Sequence, residues 1–133
     1  GDPETQPIMM RLKSDLVELC EAALNKKLGT ISSEWDERPA LGVVLASGGY
    51  PDAYRKGDVI SGLPGQEQSG MKVFHAGTQN NGGEIVTAGG RVLCACALGE
   101  TISEAQDKAY QLTNSIYWED VYYRTDIGYK AIK

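Results

Sequence analysis

Two short segments of the sequence hold residue types that could bind a substrate. The first, Asp2-Pro3-Glu4-Thr5-Gln6-Pro7, stands directly before a predicted helix. Backbone amides at a helix start attract anions, whereas the two carboxylates could instead hold a substrate amine or a hydrated magnesium ion. The same acids could equally do no more than cap and solvate the helix, and their spacing alone favours that simpler interpretation.

The second segment follows a predicted strand and reads Ala46-Ser47-Gly48-Gly49-Tyr50-Pro51, with Arg55 a few residues later. Paired glycines after a strand let a ligand or another backbone approach closely. Tyr50 could cover such a site, and Arg55 could bind a phosphate or a carboxylate with its forked guanidinium. A tight turn with solvated charges explains the same pattern, and spacing alone favours that interpretation too.

The other candidates for chemistry are isolated. His75 is the only histidine, and no nucleophile signature accompanies it, so a structural role is favoured over general-base catalysis. No phosphate-binding glycine motif is present. Cys94 and Cys96 would share one face of a strand, but with a single histidine they supply too few metal ligands. We therefore expect these two and Cys20 to be reduced, buried thiols of a cytoplasmic protein.

Length and charge narrow the classes of partner. The 133 residues suit one domain with a core, and 13 basic against 18 acidic residues give a net charge of -5. A negative chain does not attract nucleic acid or an anionic membrane, and no apolar run is long enough to span a bilayer. An anionic substrate would have to be held locally, by backbone amides or a few arginines.

The elements that must position these residues begin with residues 8–28, whose apolar side chains recur every three or four positions. This spacing predicts one long amphipathic helix, stopped by Gly29. Residues 30–39 form a polar connection anchored by Trp35, and a domain boundary is expected there. If the helix packs against a part of the protein that is missing here, its exposed apolar stripe favours self-association.

The rest of the chain predicts short strands joined by tight turns. Strands are expected at residues 41–46, 58–61, 71–76, 84–87 and 91–98, with a hairpin turn at residues 79–84. Thr101 and Glu104 form a capping box before a helix that runs to about residue 116 or 118. An aromatic tail follows and is expected to be packed. The predicted class is α+β, with an antiparallel sheet that closes on itself.

Seven stretches, in order and with their spacing kept, carry a resemblance to a known family. They are GDPETQP at 1–7, RLKSDLVELC at 11–20, LGVVLASGGYP at 41–51, YRKGDVISGLP at 54–64, VFHAGT at 73–78, GGRVLCACALGETISEAQDKAY at 89–110 and YRTDIGYKAI at 123–132. Together they resemble glycinamide ribonucleotide synthetase, a phosphoribosylamine–glycine ligase. The resemblance implies that residues 1–38 end an ATP-grasp domain with a long helix. Residues 39–133 would be a β-rich partial barrel similar to the C-terminal module of biotin carboxylase, with one capped helix.

The resemblance also implies a reaction. The family joins glycine to phosphoribosylamine in purine biosynthesis, using ATP and magnesium or manganese through a glycyl phosphate, and it acts in the cytoplasm. Its Glu and Asn metal ligands precede the segment that matches this chain. Residues 1–133 are therefore expected to hold no catalytic residue or metal ligand, to bind no cofactor and to be inactive alone. Their partners would be the missing N-terminal and ATP-grasp domains of the same enzyme.

The resemblance assigns candidate substrate-binding residues. Asp2 and Glu4 would lie beside the metal-bound phosphates and the incoming glycine or amine, and Gln6 would support their loop. The turn of Gly48, Gly49, Tyr50 and Pro51 would close one side of the substrate cleft. Arg91 is a further candidate, although for Arg91 and His75 the resemblance leaves contact and packing undecided. Two alternatives stay open: a carboxylase-type fragment, and a stand-alone β-rich interaction or assembly module.

Overall fold

The computed structural model describes residues 1–66 and 68–132, which form three α-helices and five strands in two antiparallel sheets. The predicted α+β class is confirmed. The elements in chain order are α1 (Thr5–Arg11), α2 (Leu16–Leu24), β1 (Ala40–Ala46), β2 (Met71–His75), β3 (Thr78–Asn81), β4 (Glu84–Thr87), β5 (Arg91–Leu98) and α3 (Ile102–Asn114).

The larger sheet places β5 between β1 and β2, and both neighbours run antiparallel to it. Every residue of β5 after Arg91 is buried, as a continuous apolar run of this length predicts. One face of the sheet packs on α3, where Leu41, Val43 and Ala97 meet Ala105 and Ala109. Arg91 therefore marks the point where the central strand reaches the surface.

The opposite face of the sheet is covered by α1, which packs against β1 and β5. Cys94 and Cys96 share this face, as predicted, with their sulfurs 3.5 Å apart beside Gly42. The hydrogen bond with Cys94, together with burial, raises the pKa of the Cys96 thiol, so this group is protonated at neutral pH. The prediction of buried thiols is wrong for Cys20, which is exposed.

The prediction of one long helix over residues 8–28 is wrong, because the chain leaves helical geometry at Leu12 and starts a second helix at Leu16. Asp15 caps that second helix by accepting hydrogen bonds from the amides of Val17 and Glu18. Between the helices, residues 11–14 bond instead to residues 34–36, through Lys13 to Glu34 and Leu12 to Trp35. The polar connection thus supplies backbone partners that a continuous helix would have excluded.

The strand predicted at residues 58–61 is also wrong. Val59 bridges Val86 of β4, and two residues later Ser61 bridges Tyr117, so the segment changes partner before a ladder can form. The expected single sheet that closes on itself is not formed by the described residues, since β3 and β4 make a separate two-stranded hairpin. The predicted hairpin turn between them is confirmed, with Gly82 and Gly83 both at positive φ.

The predicted helix after Thr101 is confirmed, but one of the two hydrogen bonds of the predicted capping box has a different donor. Thr101 accepts a hydrogen bond from the Glu104 amide at 3.2 Å, while the Glu104 carboxylate accepts from the Glu100 amide and not from Thr101. The helix ends at Asn114. The aromatic tail is packed at Trp118, which is 1% exposed, but Tyr117 lies mostly in solvent. Further on, Tyr122 pairs its backbone with Ala46, which brings the tail to the edge of β1.

The apolar stripe of α2 is exposed, as predicted for a helix without its packing partner. Leu16, Val17 and Leu24 of α2 are exposed, as is Leu28 after it, and neither α1 nor α2 contains a buried residue. Throughout residues 1–66 and 68–132, each helix is too short or too polar to cross a membrane.

Candidate functional site

Arg91 connects the two segments that the sequence singled out. Its Nε donates to Asp2 Oδ2 at 2.5 Å, and its Nη1 donates to the Tyr50 hydroxyl at 2.8 Å. The guanidinium carbon also lies 5.8 Å from the Tyr50 ring centroid. Because Nη1 is bonded at the hydroxyl, we interpret this contact as a hydrogen bond at the ring edge and not as a cation over its face.

Asp2 is held from a second side by Gln6, whose Nε2 donates to Asp2 Oδ1 at 2.9 Å. The hydrogen bond from Gln6, and then that from Arg91, lower the pKa of the Asp2 carboxyl, while partial burial opposes them. Its ion pair with Asp2 raises the pKa of the Arg91 guanidinium. The carboxylate is therefore ionised and oriented at neutral pH. The other side-chain oxygen of Gln6, Oε1, is buried without a hydrogen-bond partner among the described residues.

Tyr50 is positioned by the glycine-rich turn after β1. Ser47 joins this turn to the residues before Arg91, donating from its amide to Gly90 O at 2.8 Å and from its hydroxyl to Gly89 O at 2.9 Å. Gly90 leaves room for the Tyr50 ring, because a Cβ there would overlap the ring carbons. Two predicted residues, Tyr50 and Arg91, thus meet because the turn and the start of β5 share a backbone contact.

The turn also explains its paired glycines. Gly49 has a φ of +91°, and a Cβ at this position would meet the carbonyl oxygen of Ala53. A Cβ on Gly48 would lie 2.7 Å from the carbonyl oxygen of Asp120. Both glycines are required by close backbone approach, so their role in the site is to shape the turn that carries Tyr50.

Several sequence candidates lie apart from this cluster. Glu4 and Pro51 are exposed and make no hydrogen bond to Asp2, Tyr50 or Arg91 within the described part of the chain. Arg55 pairs with Asp58, its Nη2 lying 3.1 Å from Oδ1. His75 lies at the end of β2, with Nδ1 3.0 Å from Thr78 Oγ1, and lines a separate cavity of about 110 Å³.

A larger cavity of about 390 Å³ lies beside Arg91 and Tyr50. Its floor comes from alternate residues of β1, which point to the same side of the strand. The N-terminal loop and the aromatic tail complete it. The lining residues are Pro3, Gly42, Val44, Ala46, Tyr50, Arg91, Tyr122, Tyr123, Arg124 and Ile127. A mainly apolar cavity with a few convergent polar groups is the usual form of a small-molecule site.

Arg124 and the neighbouring tyrosines are the site residues that the sequence reasoning missed. The aromatic pattern of the tail predicts packing and no site residue, although Arg124 stands two residues before Asp126 and shortly before Gly128. Arg124 also lies within residues 123–132, one of the seven stretches that carry the family resemblance. That position is the signal by which the sequence could have indicated Arg124 as a site residue. Its place in the cavity depends on the pairing of Tyr122 with Ala46, which the sequence pattern does not encode locally.

The donor groups in residues 1–66 and 68–132 do not fit a metal ion. Residues 1–66 and 68–132 contain no group of three His, Cys, Asp or Glu side chains arranged to hold one. Asp2, the best-placed carboxylate, is already engaged by Gln6 and Arg91. A magnesium site of oxygen ligands would need further carboxylates from outside the described residues.

Comparison with known proteins gives a consistent family match. The profile of the family described as "Phosphoribosylglycinamide synthetase, C domain" matches residues 40–130. Proteins named phosphoribosylamine–glycine ligase are similar over nearly the whole chain. The relative from Vibrio vulnificus strain YJ016 is 66% identical over 132 residues, covering 99% of this chain and 31% of its own length. The Escherichia coli K12 relative is 62% identical over 134 residues, again covering 31% of its own length.

A solved structure agrees with these sequence relatives. The crystal structure of phosphoribosylamine–glycine ligase from Thermotoga maritima has a TM-score of 0.74 and 38% sequence identity to this chain. The match covers 95% of this chain and 30% of that structure. The chain thus spans about a third of the length of the relatives it matches. These names support the ligase interpretation over the carboxylase-type fragment and the stand-alone interaction module.

Proposed function

Because the chain belongs to the phosphoribosylglycinamide synthetase C-domain family, we propose that it serves the ligation of glycine to phosphoribosylamine as the C-terminal part of that ligase. The remaining two thirds of the enzyme, by the length of the relatives, would be its partner. The observation that carries the proposal is the contact of Arg91 with Asp2 and Tyr50, which joins three family-like segments at the edge of a cavity.

The proposal includes a domain assignment. Residues 1–38 would end the ATP-grasp domain, and residues 39–133 would form the β-rich C-terminal domain, similar to the partial barrel at the end of biotin carboxylase. Two observations support this division. The family profile begins to match at residue 40, and no residue of the two helices before it is fully buried. Cytoplasmic location is part of the same proposal.

The site residues would form one wall of the substrate cleft. Asp2 is an oriented carboxylate whose pKa is lowered by Gln6 and Arg91, so it can accept hydrogen bonds from a substrate ammonium such as that of glycine. Gln6 adds a buried acceptor, Oε1, that has no partner among the described residues. Glu4 and Pro51 lie apart from the cluster and would contact the substrates from its edge, while Gly48 and Gly49 shape the turn that carries Tyr50.

ATP and magnesium would supply the activation of the glycine carboxylate. They would be held by the domains that precede this chain, since the carboxylates described here do not form a metal site. The role of residues 1–133 would be to orient the substrates. Arg91 orients Asp2 and Tyr50 by hydrogen bonds.

A direct test compares the full-length polypeptide containing this chain with residues 1–133 alone. We expect the full-length protein to form glycinamide ribonucleotide from glycine, phosphoribosylamine, ATP and magnesium, and the 133-residue chain to form none. Product is measured by mass spectrometry after a fixed incubation. Absence of ligation by the full-length protein would contradict the proposed function, and ligation by the chain alone would contradict the assigned division of labour.

A second test addresses the cluster in the full-length protein. Arg91→Gln removes the ion pair that orients Asp2, and we expect kcat/KM to fall about tenfold to a hundredfold, because charged hydrogen bonds contribute roughly 1.5–3 kcal/mol. Arg38→Gln is the matched control, since Arg38 also pairs with an aspartate but does not line the cavity. Equal activity of the two variants would exclude Arg91 from the substrate cleft.

A further inference from the structure

We propose that the cavity between the N-terminal loop and the tail binds the phosphate of the sugar-phosphate substrate, with Arg124 as a phosphate-binding residue and Arg91 on the same cavity wall. This inference deepens the proposed function and depends on it. It rests on the position of Arg124, on the construction of the segment that carries it, and on the chemistry of the cavity lining.

Arg124 is held in a fixed orientation by its neighbour Asp126. Its Nε donates to Asp126 Oδ1 at 2.8 Å and its Nη2 donates to Oδ2 at 2.7 Å. A guanidinium has five N–H donors, so three of them are left after these two bonds, counted among the described residues. The pair therefore presents a planar, oriented set of donors at the cavity, although the side chain itself is 62% exposed.

The segment that carries Arg124 is anchored to α3 from two sides. The Tyr110 hydroxyl donates to Arg124 O at 2.7 Å and accepts from the Ile127 amide at 3.0 Å. Gln106 Nε2 donates to Ile127 O at 2.6 Å. At its other end, Tyr122 bonds to Ala46 of β1 through both its amide and its carbonyl. These bonds fix the backbone at residues 122–127, so the guanidinium is presented from a rigid frame.

The cavity lining suits a phosphorylated sugar. Two guanidiniums lie at its border, and a guanidinium matches the oxygens of a phosphate with two parallel hydrogen bonds. The floor of Gly42, Val44 and Ala46 is apolar, which suits the carbon face of a ribose. Because each guanidinium is paired with a carboxylate, the two pairs carry little net charge, and an anion would be held by the guanidinium N–H groups that these pairs leave over.

A phosphate could come from the nucleotide or from the sugar, and the structure favours the sugar. Nucleotide phosphates are bound together with magnesium, which requires available carboxylates. The acids nearest the two arginines, Asp2 and Asp126, are each engaged by a guanidinium. No described group of three acidic or thiol side chains offers a metal site beside them. The phosphate monoester of the sugar, which can bind without a metal ion, therefore fits this arrangement better than the phosphates of a nucleotide.

The experiment uses the full-length ligase and compares Arg124→Gln, Arg124→Lys and Arg38→Gln. Arg38 is a matched control because it also makes a two-bond pair with an aspartate two residues away, yet lies outside the cavity. We expect Arg124→Gln to raise the KM for phosphoribosylamine about tenfold to a hundredfold, with the KM values for ATP and glycine unchanged. The KM of Arg124→Lys for phosphoribosylamine should lie between those of the unchanged protein and Arg124→Gln, since lysine keeps the charge but loses the forked pair of N–H donors.

Ribose 5-phosphate provides a second readout that does not require turnover. Its dissociation constant for the full-length protein is measured by isothermal titration calorimetry. In Arg124→Gln it should rise together with the KM for phosphoribosylamine, and in Arg38→Gln it should stay unchanged. Unliganded thermal midpoints of the variants establish that they are folded. If Arg124→Gln does not fold, the Lys variant, which keeps the charge and stem, tests the same point.

The outcomes separate the two proposals. If the full-length protein does not ligate glycine, the proposed function is wrong. If it does, but Arg124→Gln and Arg38→Gln behave alike, only the phosphate site is wrong. A rise in the KM for ATP alone would assign the anion to the nucleotide and also overturn the inference. A rise confined to phosphoribosylamine, together with weaker ribose 5-phosphate binding, supports it.

Discussion

The helices near the N-terminus and the helix near the C-terminus are both amphipathic, but they are buried very differently. Helix α3 places Ala105, Ala109, Leu112 and Thr113 in the core, whereas α1 and α2 have no buried residue. The difference is in what lies opposite each helix: α3 packs on a sheet whose central strand is buried, and α2 faces solvent. A similar apolar stripe therefore stabilises the fold in one place and leaves an exposed surface in the other.

The largest expected effect contrasts a leucine from each region. Leu45→Ala should lower the free energy of unfolding by about 2–5 kcal/mol, because Leu45 is fully buried and the smaller side chain leaves a cavity. Leu24→Ala should change it by less than about 0.5 kcal/mol, since Leu24 is 84% exposed. Urea denaturation followed by circular dichroism measures both. Similar losses would show that α2 is part of the cooperative core.

A second contrast separates backbone strain from steric overlap in two glycines of the same φ. Gly49 and Gly57 both have a φ of +91°, but only a Cβ at Gly49 would meet another backbone atom, the carbonyl oxygen of Ala53. Gly57→Ala should cost about 1–2 kcal/mol from the left-handed backbone alone. Gly49→Ala should cost more, about 2–3 kcal/mol, and should shift Tyr50. Unfolding curves give the cost, and Tyr50 ring chemical shifts report the displacement.

Equal destabilisation by the two glycine variants would contradict the close approach of the turn to Ala53. A variant at Gly82 serves as a further control, because Gly82 also has positive φ and nothing within 4 Å of an added Cβ. It should resemble Gly57→Ala, which would establish that the extra cost at Gly49 comes from contact.

The sequence predicts the elements whose signals are local. The apolar runs of β1 and β5, the glycine hairpin and the Thr101 cap each lie within a few residues, and each is found in the structure. The break between α1 and α2 is not predicted from the sequence, because it accompanies the backbone pairing of residues 11–14 with residues 34–36. That pairing connects positions far apart in the chain, and the spacing of apolar residues along one segment cannot predict it.

The residues of the candidate site likewise differ in whether the sequence could indicate them. The family resemblance, and not spacing, selected Asp2, Tyr50 and Arg91, and the fold joins them by hydrogen bonds between residues up to 89 positions apart. Arg124 was missed because its importance depends on the tail lying against β1. Whether these residues contact substrate stays a prediction.

A third contrast uses the caps of the two kinds of helix. Thr101→Ala should lower the global free energy of unfolding by about 1 kcal/mol, since Thr101 caps a helix that carries core residues. Asp15→Ala removes a cap with two amide bonds, but from a helix without buried residues. It should reduce helical circular dichroism while leaving the cooperative transition nearly unchanged. A matching drop in global stability for Asp15→Ala would mean that α2 unfolds together with the core.

The smallest expected effect concerns the ion pair that ties the two regions together. Asp2 precedes α1 and Arg91 begins β5, and their bond, with that from Gln6, lowers the pKa of the Asp2 carboxyl below its ordinary value of 3.8. A lowered pKa in the folded state means that the contact stabilises fully above pH 3.8 and is lost as the pH falls through the folded value. Amides of α1 should then exchange faster with solvent, while those of β5 stay protected.

Carboxyl chemical shifts measured against pH give the pKa of Asp2 directly. Arg91→Gln should raise this pKa, whereas Arg38→Gln should not. An Asp2 pKa at or above 3.8 would mean that the N-terminal loop is not held on the sheet in solution.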